Sequence, residues 1–126
     1  MPLRVGTDLV AVEAVTQSLR DHGDRYIERV YTDREVEDCR HEGGLDAERL
    51  AARFAAKEAT LKVLRPDEEG VSLRSIEVRR HPAGWVELEL SGPAAALAER
   101  AGITQLALSF SHEQGLANAV VVAECA

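Results

Sequence analysis

Aromatic residues are scarce in this chain: two Phe, two Tyr and one Trp among 126 residues. A core with so few rings must be filled by Leu, Val and Ala, and platforms on which successive bases stack are not expected. Cys39 and Cys125 are too few and too far apart in sequence for a disulfide framework or a zinc knuckle. A reducing cytoplasm is the expected setting. Long apolar runs are also missing. The best, near residues 116–123, falls far short of the ~20 residues that a spanning helix needs. The opening MPLRVGTDLV has no basic segment followed by an apolar stretch and cleavage site, so neither a membrane nor a secretory route is expected. Basic charge is in deficit, 15 Lys and Arg against 22 Asp and Glu, for a net charge of −7. Such a surface repels a phosphate backbone, and nucleic acid is not an expected partner.

What is present is an ordinary globular balance, 45% hydrophobic and 29% charged, in a length that suits one domain over residues 1–126. Residues 3–10 alternate as a strand does, with Leu3, Val5, Thr7 and Leu9 on one side and Arg4, Gly6, Asp8 and Val10 on the other. A helical stretch from about Val12 to Tyr31 is interrupted near His22-Gly23. Thr32 and Glu35 form a capping box ahead of a short helix. After Gly43-Gly44, residues 46–64 give the strongest helix signal, rich in Ala, Leu, Arg, Glu and Lys and capped by Asp46. Strands are predicted over 75–79 and 85–90 around a His81-Pro82-Ala83-Gly84 turn. A short helix opened by Pro93 and closed by Gly102 follows, then strands over 105–110 and 116–123. Strands and helices do not alternate regularly, which predicts an α+β fold: a small, mostly antiparallel sheet with one long packed helix.

Three places carry chemistry. On the long helix, steps of four and three put Ala51, Ala55, Glu58 and Lys62 on one stripe. Leu50, Phe54, Leu61 and Leu64 form an adjoining apolar stripe expected to face the core. The alanines leave room for a ligand or another segment beside Glu58 and Lys62, with Arg53 and Lys57 adding cations nearby. The plain alternative is a solvated helix face with one ion pair worth ~0.3–0.5 kcal/mol. Asp8 lies within an apolar strand, where an unpaired carboxylate is costly, and Gly6 on the same face could admit a ligand. Its plain alternative is an edge strand with Asp8 in water or paired to Arg4. Third, Leu108-Ser109-Phe110-Ser111-His112-Glu113 places a His among hydroxyls at a strand end, suited to phosphate recognition or simply structural. No G-x-S-x-G elbow surrounds Ser111, and His22, His41 and His81 lack metal-ligand spacing.

Three segments, in order and spacing, resemble the holo-acyl-carrier-protein synthases, the small 4′-phosphopantetheinyl transferases: Val5-Gly6-Thr7-Asp8-Leu9-Val10, Arg53-Phe54-Ala55-Ala56-Lys57-Glu58-Ala59-Thr60-Leu61-Lys62, and Leu108-Ser109-Phe110-Ser111-His112-Glu113. The closing residues 117–124 resemble the family's final strand. The resemblance implies transfer of phosphopantetheine from coenzyme A to a serine of an apo acyl carrier protein, releasing adenosine 3′,5′-bisphosphate. It implies Mg²⁺ held by Asp8 and Glu58, an ion that suits one or two carboxylates plus phosphate oxygens. It makes Lys62 a phosphate contact, Glu58 or a metal-held water the base, and Arg53 and His112 contacts to the nucleotide end of coenzyme A. It also implies a homotrimer with sites at subunit interfaces.

Three features depart from the family pattern. Where a basic docking helix is common, residues 13–25 carry three acids (Glu13, Asp21, Asp24) against two bases (Arg20, Arg25), which points to a less acidic carrier, a more apolar contact or a dedicated partner. A Gly-rich stretch is replaced by Arg65-Pro66-Asp67-Glu68-Glu69-Gly70. Trp85 stands where a Gly-x-Pro turn is usual and is expected to cover the core. Two other readings stay open: a scaffold that binds coenzyme A or a carrier without transferring, and a metal-dependent phosphoester hydrolase.

Overall fold

A computed structural model of the chain describes residues 2–67 and 70–126. Strand β1 (Leu3–Ala11) runs straight into α1 (Val12–His22), and Gly23, at φ 52°, turns the chain into α2 (Asp24–Val30). Helix α3 (Asp33–Asp38) begins at the predicted capping box: Thr32 Oγ1 accepts from the Glu35 N–H, and Glu35 returns a carboxylate oxygen to the Thr32 N–H at 2.9 Å. The glycine pair does more than break the chain, since it closes a two-residue ladder between β2 (Arg40–His41) and β3 (Gly44–Leu45). The long helix is α4 (Ala47–Leu64), with Asp46 accepting from the N–H groups of Glu48 and Arg49. A 3-10 turn at Leu73–Ser75 leads to the hairpin β4 (Ile76–Arg80) and β5 (Val86–Leu90). Then come α5 (Gly92–Arg100), β6 (Ile103–Glu113) and β7 (Leu116–Cys125).

The main sheet is antiparallel in the order β1-β7-β6. Its inner face, Gly6 and Val10 with Ala117, Ala119, Val121 and Ala123, packs on α4. Small residues on both sides, Ala52, Ala55, Ala56 and Ala59 on the helix, let the two layers approach closely. The α+β architecture thus matches the sequence reading, down to the long helix on a small antiparallel sheet.

Of the two sides of β1, the one bearing Leu3, Val5 and Leu9 is exposed, Val5 by 67% and Leu9 by 62%. One expectation needs correction. Lys57 does not sit near Glu58 and Lys62 as a free cation. It is fully buried, 2.7 Å from Glu35, and donates to the carbonyls of Leu73 and Ile76. Glu35 also accepts from the Val78 N–H at 2.8 Å. Burial pulls the Lys57 ammonium below its usual value while Glu35 opposes that shift. One buried ion pair therefore ties α3, α4 and β4 together.

Candidate active site

Between Leu50 and Leu64 nearly every α4 residue is buried; the residues reached by solvent are Phe54, Glu58, Leu61 and Lys62. Their spacing, i, i+4, i+7 and i+8, is a single helical stripe. Phe54 and Leu61, expected to face the core, are half-buried: Phe54 packs on the main core and Leu61 on the smaller cluster of Leu64, Ile76 and Ala94, each with one side reached by solvent. Ala51 and Ala55 are fully buried, so the room they create is taken up by protein packing rather than left open.

At Glu58 and Lys62 this stripe lies against β1. Lys62 Nζ donates to the Thr7 carbonyl at 2.7 Å and to Asp8 Oδ1 at 3.2 Å. Asp8 is one-fifth exposed at its side chain, and Asn118 donates to its backbone carbonyl at 3.2 Å. Arg4 is not its partner, because Arg4 Nη1 donates to the Val63 carbonyl. Glu58 stands close enough to feel Asp8: partial burial, and then the Asp8 charge, push its carboxyl up from the ordinary 4.5, with Lys62 acting in the other direction. Two carboxyl groups and one lysine thus meet between β1 and α4, a set of side chains whose chemistry suits a hard cation and an anion. Gly6 does not admit a ligand beside them, as the sequence reading expected, because the Ala59 carbonyl packs against it.

Arg53 and His112 do not join that group within one chain. Asp8 pairs with Ala119, and Ala119 with Phe110, so Phe110 lies two strand spacings from Asp8, about 9–10 Å away. Arg53 is 4% exposed with its guanidinium over the Phe110 ring, 5.7 Å from the centroid. Its Nη1 donates to the Arg49 carbonyl, while Nε is buried without a partner among the described residues. His112 Nδ1 meets Glu48 Oε2 at 2.6 Å, and Glu48 is ten residues, about 15 Å, up the helix from Glu58. A recess of about 350 Å³ opens at His112, lined by Ser111, Glu113, Leu116 and Asn118. The structure thus places Asp8, Glu58 and Lys62 at the β1 edge of the sheet and Arg53 and His112 at the β6 edge.

Sequence reading missed one feature of the surface. Arg25, Arg29 and Arg74 gather with His22, Tyr26, Glu28 and Ser72 around a recess of about 550 Å³, with Asp33 3.8 Å from Arg74. Arg74 comes from the 3-10 turn far along the chain, so no local pattern reveals the cluster. Trp85 does not cover the core: it is exposed, stacks on His81 with centroids 3.9 Å apart, and donates to Glu87. Of the 65–70 stretch, Glu68 and Glu69 lie outside the described residues.

The profile of the 4′-phosphopantetheinyl transferase superfamily matches residues 4–121. The chain is similar to the holo-[acyl-carrier-protein] synthase of Koribacter versatilis, 38% identical over 125 residues, 98% of this chain and 99% of that one. The synthase of Gloeobacter violaceus is 41% identical over 118 residues, 94% of this chain and 89% of the relative. Among solved structures, the ACPS–CoA complex of Chronobacterium ammoniagenes matches with a TM-score of 0.88 at 32% identity, covering 100% of this chain and 99% of that one.

Proposed function

The chain belongs to the 4′-phosphopantetheinyl transferase superfamily, and we propose that this single domain, residues 1–126, moves the 4′-phosphopantetheine group of coenzyme A onto a serine of an apo acyl carrier protein. The serine oxygen attacks the phosphorus that bears the pantetheine arm. The bond to the second phosphate breaks, adenosine 3′,5′-bisphosphate leaves, and the serine proton passes to a base. The observation that supports this reading most is the meeting of Asp8, Glu58 and Lys62 between β1 and α4.

Each residue has a role the geometry can sustain. Asp8 and Glu58 are the candidate Mg²⁺ ligands. Their mutual repulsion, felt in the raised Glu58 carboxyl, is what a divalent cation relieves, and Mg²⁺ takes few protein carboxylates because phosphate and water complete its shell. Bound there, Mg²⁺ supplies neutralisation of the pyrophosphate charge. Lys62, now on Asp8 Oδ1, holds a phosphate oxygen and steadies charge on the leaving group. Glu58, or a water held with the metal, takes the serine proton.

Arg53 and His112 grip the nucleotide phosphates of coenzyme A. Their position on the opposite sheet edge fits a homotrimer in which one copy's β6 edge completes another's β1 edge. The exposed apolar face of Leu3, Val5, Leu9, Leu116, Val120 and Val122 is the kind of patch that subunit contacts cover. The Arg25, Arg29 and Arg74 recess offers positive charge for an acidic carrier, which α1 alone does not. The setting is the cytoplasm, where coenzyme A and reduced thiols occur together.

Intact-mass measurement of an apo carrier incubated with the protein, coenzyme A and Mg²⁺ tests the proposal. The expected result is a single phosphopantetheine-sized gain with the native chain and its near-complete loss with Asp8→Asn. Coenzyme A binding without any mass gain would favour the scaffold reading. Phosphate release with no carrier present would favour a hydrolase.

A further inference from the structure

The start of α4 is held in place by its cap. Asp46 accepts from the N–H groups of Glu48 and Arg49, at 2.9 Å and 3.3 Å, so the backbone that carries Glu48 is fixed in the first helical turn. On β6, His112 pairs with Ala117 and lies on the same side of the sheet as Phe110, two residues back. Ala117 is fully buried in the core that α4 shares, so this side faces the helix. The two elements meet at His112 Nδ1 and Glu48 Oε2, 2.6 Å apart.

That separation fixes what Nδ1 carries. A bare ring nitrogen and a carboxylate oxygen each present a lone pair and repel at this distance, whereas an N–H between them makes a short, charge-assisted contact. Nδ1 is thus protonated whether the ring is neutral or cationic. The other nitrogen, Nε2, lies on the far side of the ring and has no partner among the described residues. It is the nitrogen left for a ligand beside the recess that His112 lines with Ser111, Glu113, Leu116 and Asn118. A phosphate needs a donor there, and the ring supplies one from Nε2 as the imidazolium.

The pair adds little to stability, because both side chains are about half exposed, at 47% and 53%. What it fixes is direction. Unheld, a ring at a strand end exchanges its two nitrogens and its two tautomers. Arg53 is tied to the same turn of helix, since its guanidinium lies over Phe110 and its Nη1 donates to the Arg49 carbonyl. Both side chains assigned to the nucleotide phosphates are therefore held from the first turn of α4.

We propose that Glu48 is a positioning residue for coenzyme A: it holds His112 with Nδ1–H turned to the helix and Nε2 turned to a phosphate of the nucleotide end. The inference rests on the transferase reading above. Glu48 itself touches no phosphate, and as a bystander its charge would repel one. Its removal therefore separates the two roles by sign. Lost positioning weakens coenzyme A binding, and a lost bystander charge strengthens it.

The test compares the native chain with Glu48→Ala, Glu48→Gln, His112→Ala and the double variant of Glu48→Ala with His112→Ala. Each is measured by steady-state transfer to an apo carrier, calorimetric binding of coenzyme A, thermal melting and nitrogen NMR of the histidine side chains. Transfer by the native chain comes first, so that inactivity there counts against the transferase reading while calorimetry and NMR still judge Glu48. His112→Ala should raise the KM and Kd for coenzyme A about tenfold, the scale of a charge-assisted hydrogen bond. Glu48→Ala should raise both about fivefold with kcat within about twofold. Glu48→Gln, whose amide oxygen still accepts from Nδ1–H, should recover most of the affinity. In the double variant, Glu48→Ala should add nothing to the effect of His112→Ala. On the neutral ring, the His112 signal should report the Nδ1–H tautomer in the native chain and the Nε2–H tautomer in Glu48→Ala. Glu48 also favours the positive end of the helix dipole, and that contribution appears in Tm rather than in KM. Unchanged or tighter coenzyme A binding by Glu48→Ala overturns the proposal, as does an unchanged Kd in His112→Ala or an Nε2–H tautomer in the native chain.

Discussion

Gly6 of β1 lies directly against the Ala59 carbonyl of α4: a Cβ built on Gly6 would fall well inside contact distance of that oxygen and 3.1 Å from Val63 Cγ2. Neither is the loose end of a long side chain, so strand and helix would have to part. Asp8 is two residues along the same strand face, and Glu58 and Lys62 flank Ala59 on the helix. The missing side chain therefore sets how closely the carboxylate on the strand meets the groups on the helix.

Gly6→Ala is accordingly expected to cost about 1–3 kcal/mol of stability, the scale of overpacking. It should also reduce transfer at least tenfold while leaving a folded protein. Chemical denaturation and carrier-modification rates measured on one preparation check both. A variant with native activity would show that the close approach does not position Asp8.

Glu58 gives a pH-dependent prediction. Its folded carboxyl is raised above the ordinary 4.5 by burial and by Asp8. Proton binding is therefore favoured by folding, so the associated stability is complete at low pH and is lost as pH rises through the raised value. Glu58→Gln, which cannot ionise, should melt at a higher temperature than the native chain at pH 7–8, with the gap closing as pH falls toward 4. Added Mg²⁺ should raise the native Tm at pH 7–8 and leave that of Glu58→Gln nearly unchanged. Equal melting curves across the range would contradict the environment assigned to Glu58.

The buried pair of Lys57 and Glu35 makes a prediction about folding alone. Lys57→Met strands a carboxylate in the core and is expected to cost about 3–5 kcal/mol. Adding Glu35→Gln should recover part of that loss, because the stranded charge goes, although the single amide oxygen can replace only one of the two oxygens that accept from the Thr32 and Val78 N–H groups. A denaturant double-mutant cycle reads the coupling. Additive losses would mean the two charges do not depend on each other.

Carrier docking can be separated from chemistry at the arginine recess. Arg25→Glu with Arg29→Glu should raise the KM for an acidic apo carrier about tenfold or more and make it less salt-sensitive. The KM for coenzyme A should stay put. An unchanged carrier KM would return the question to the acidic α1 and a less acidic partner.

Local signals made much of this fold legible. The capping box at Thr32 and Glu35, the Asp46 cap, the alanine-rich run of α4 and the break at Gly23 act within a turn or two of chain, so sequence alone specifies them. The family resemblance likewise rests on short blocks, and it singles out Asp8, Glu58, Lys62, Arg53 and His112. Segment pattern could not say which side of β1 is inner. Alternation separates Leu3, Val5 and Leu9 from the other side, and only α4, with Ala59 opposite Gly6, decides that the polar side packs inward. Nor could it show that Lys57 is buried, since its partner Glu35 lies in another helix, or that Arg74 joins Arg25 and Arg29. Short-range hydrogen bonding and propensity wrote the elements into the chain. Packing between segments far apart in it decided which charges meet, because no residue carries locally the identity of its distant neighbours.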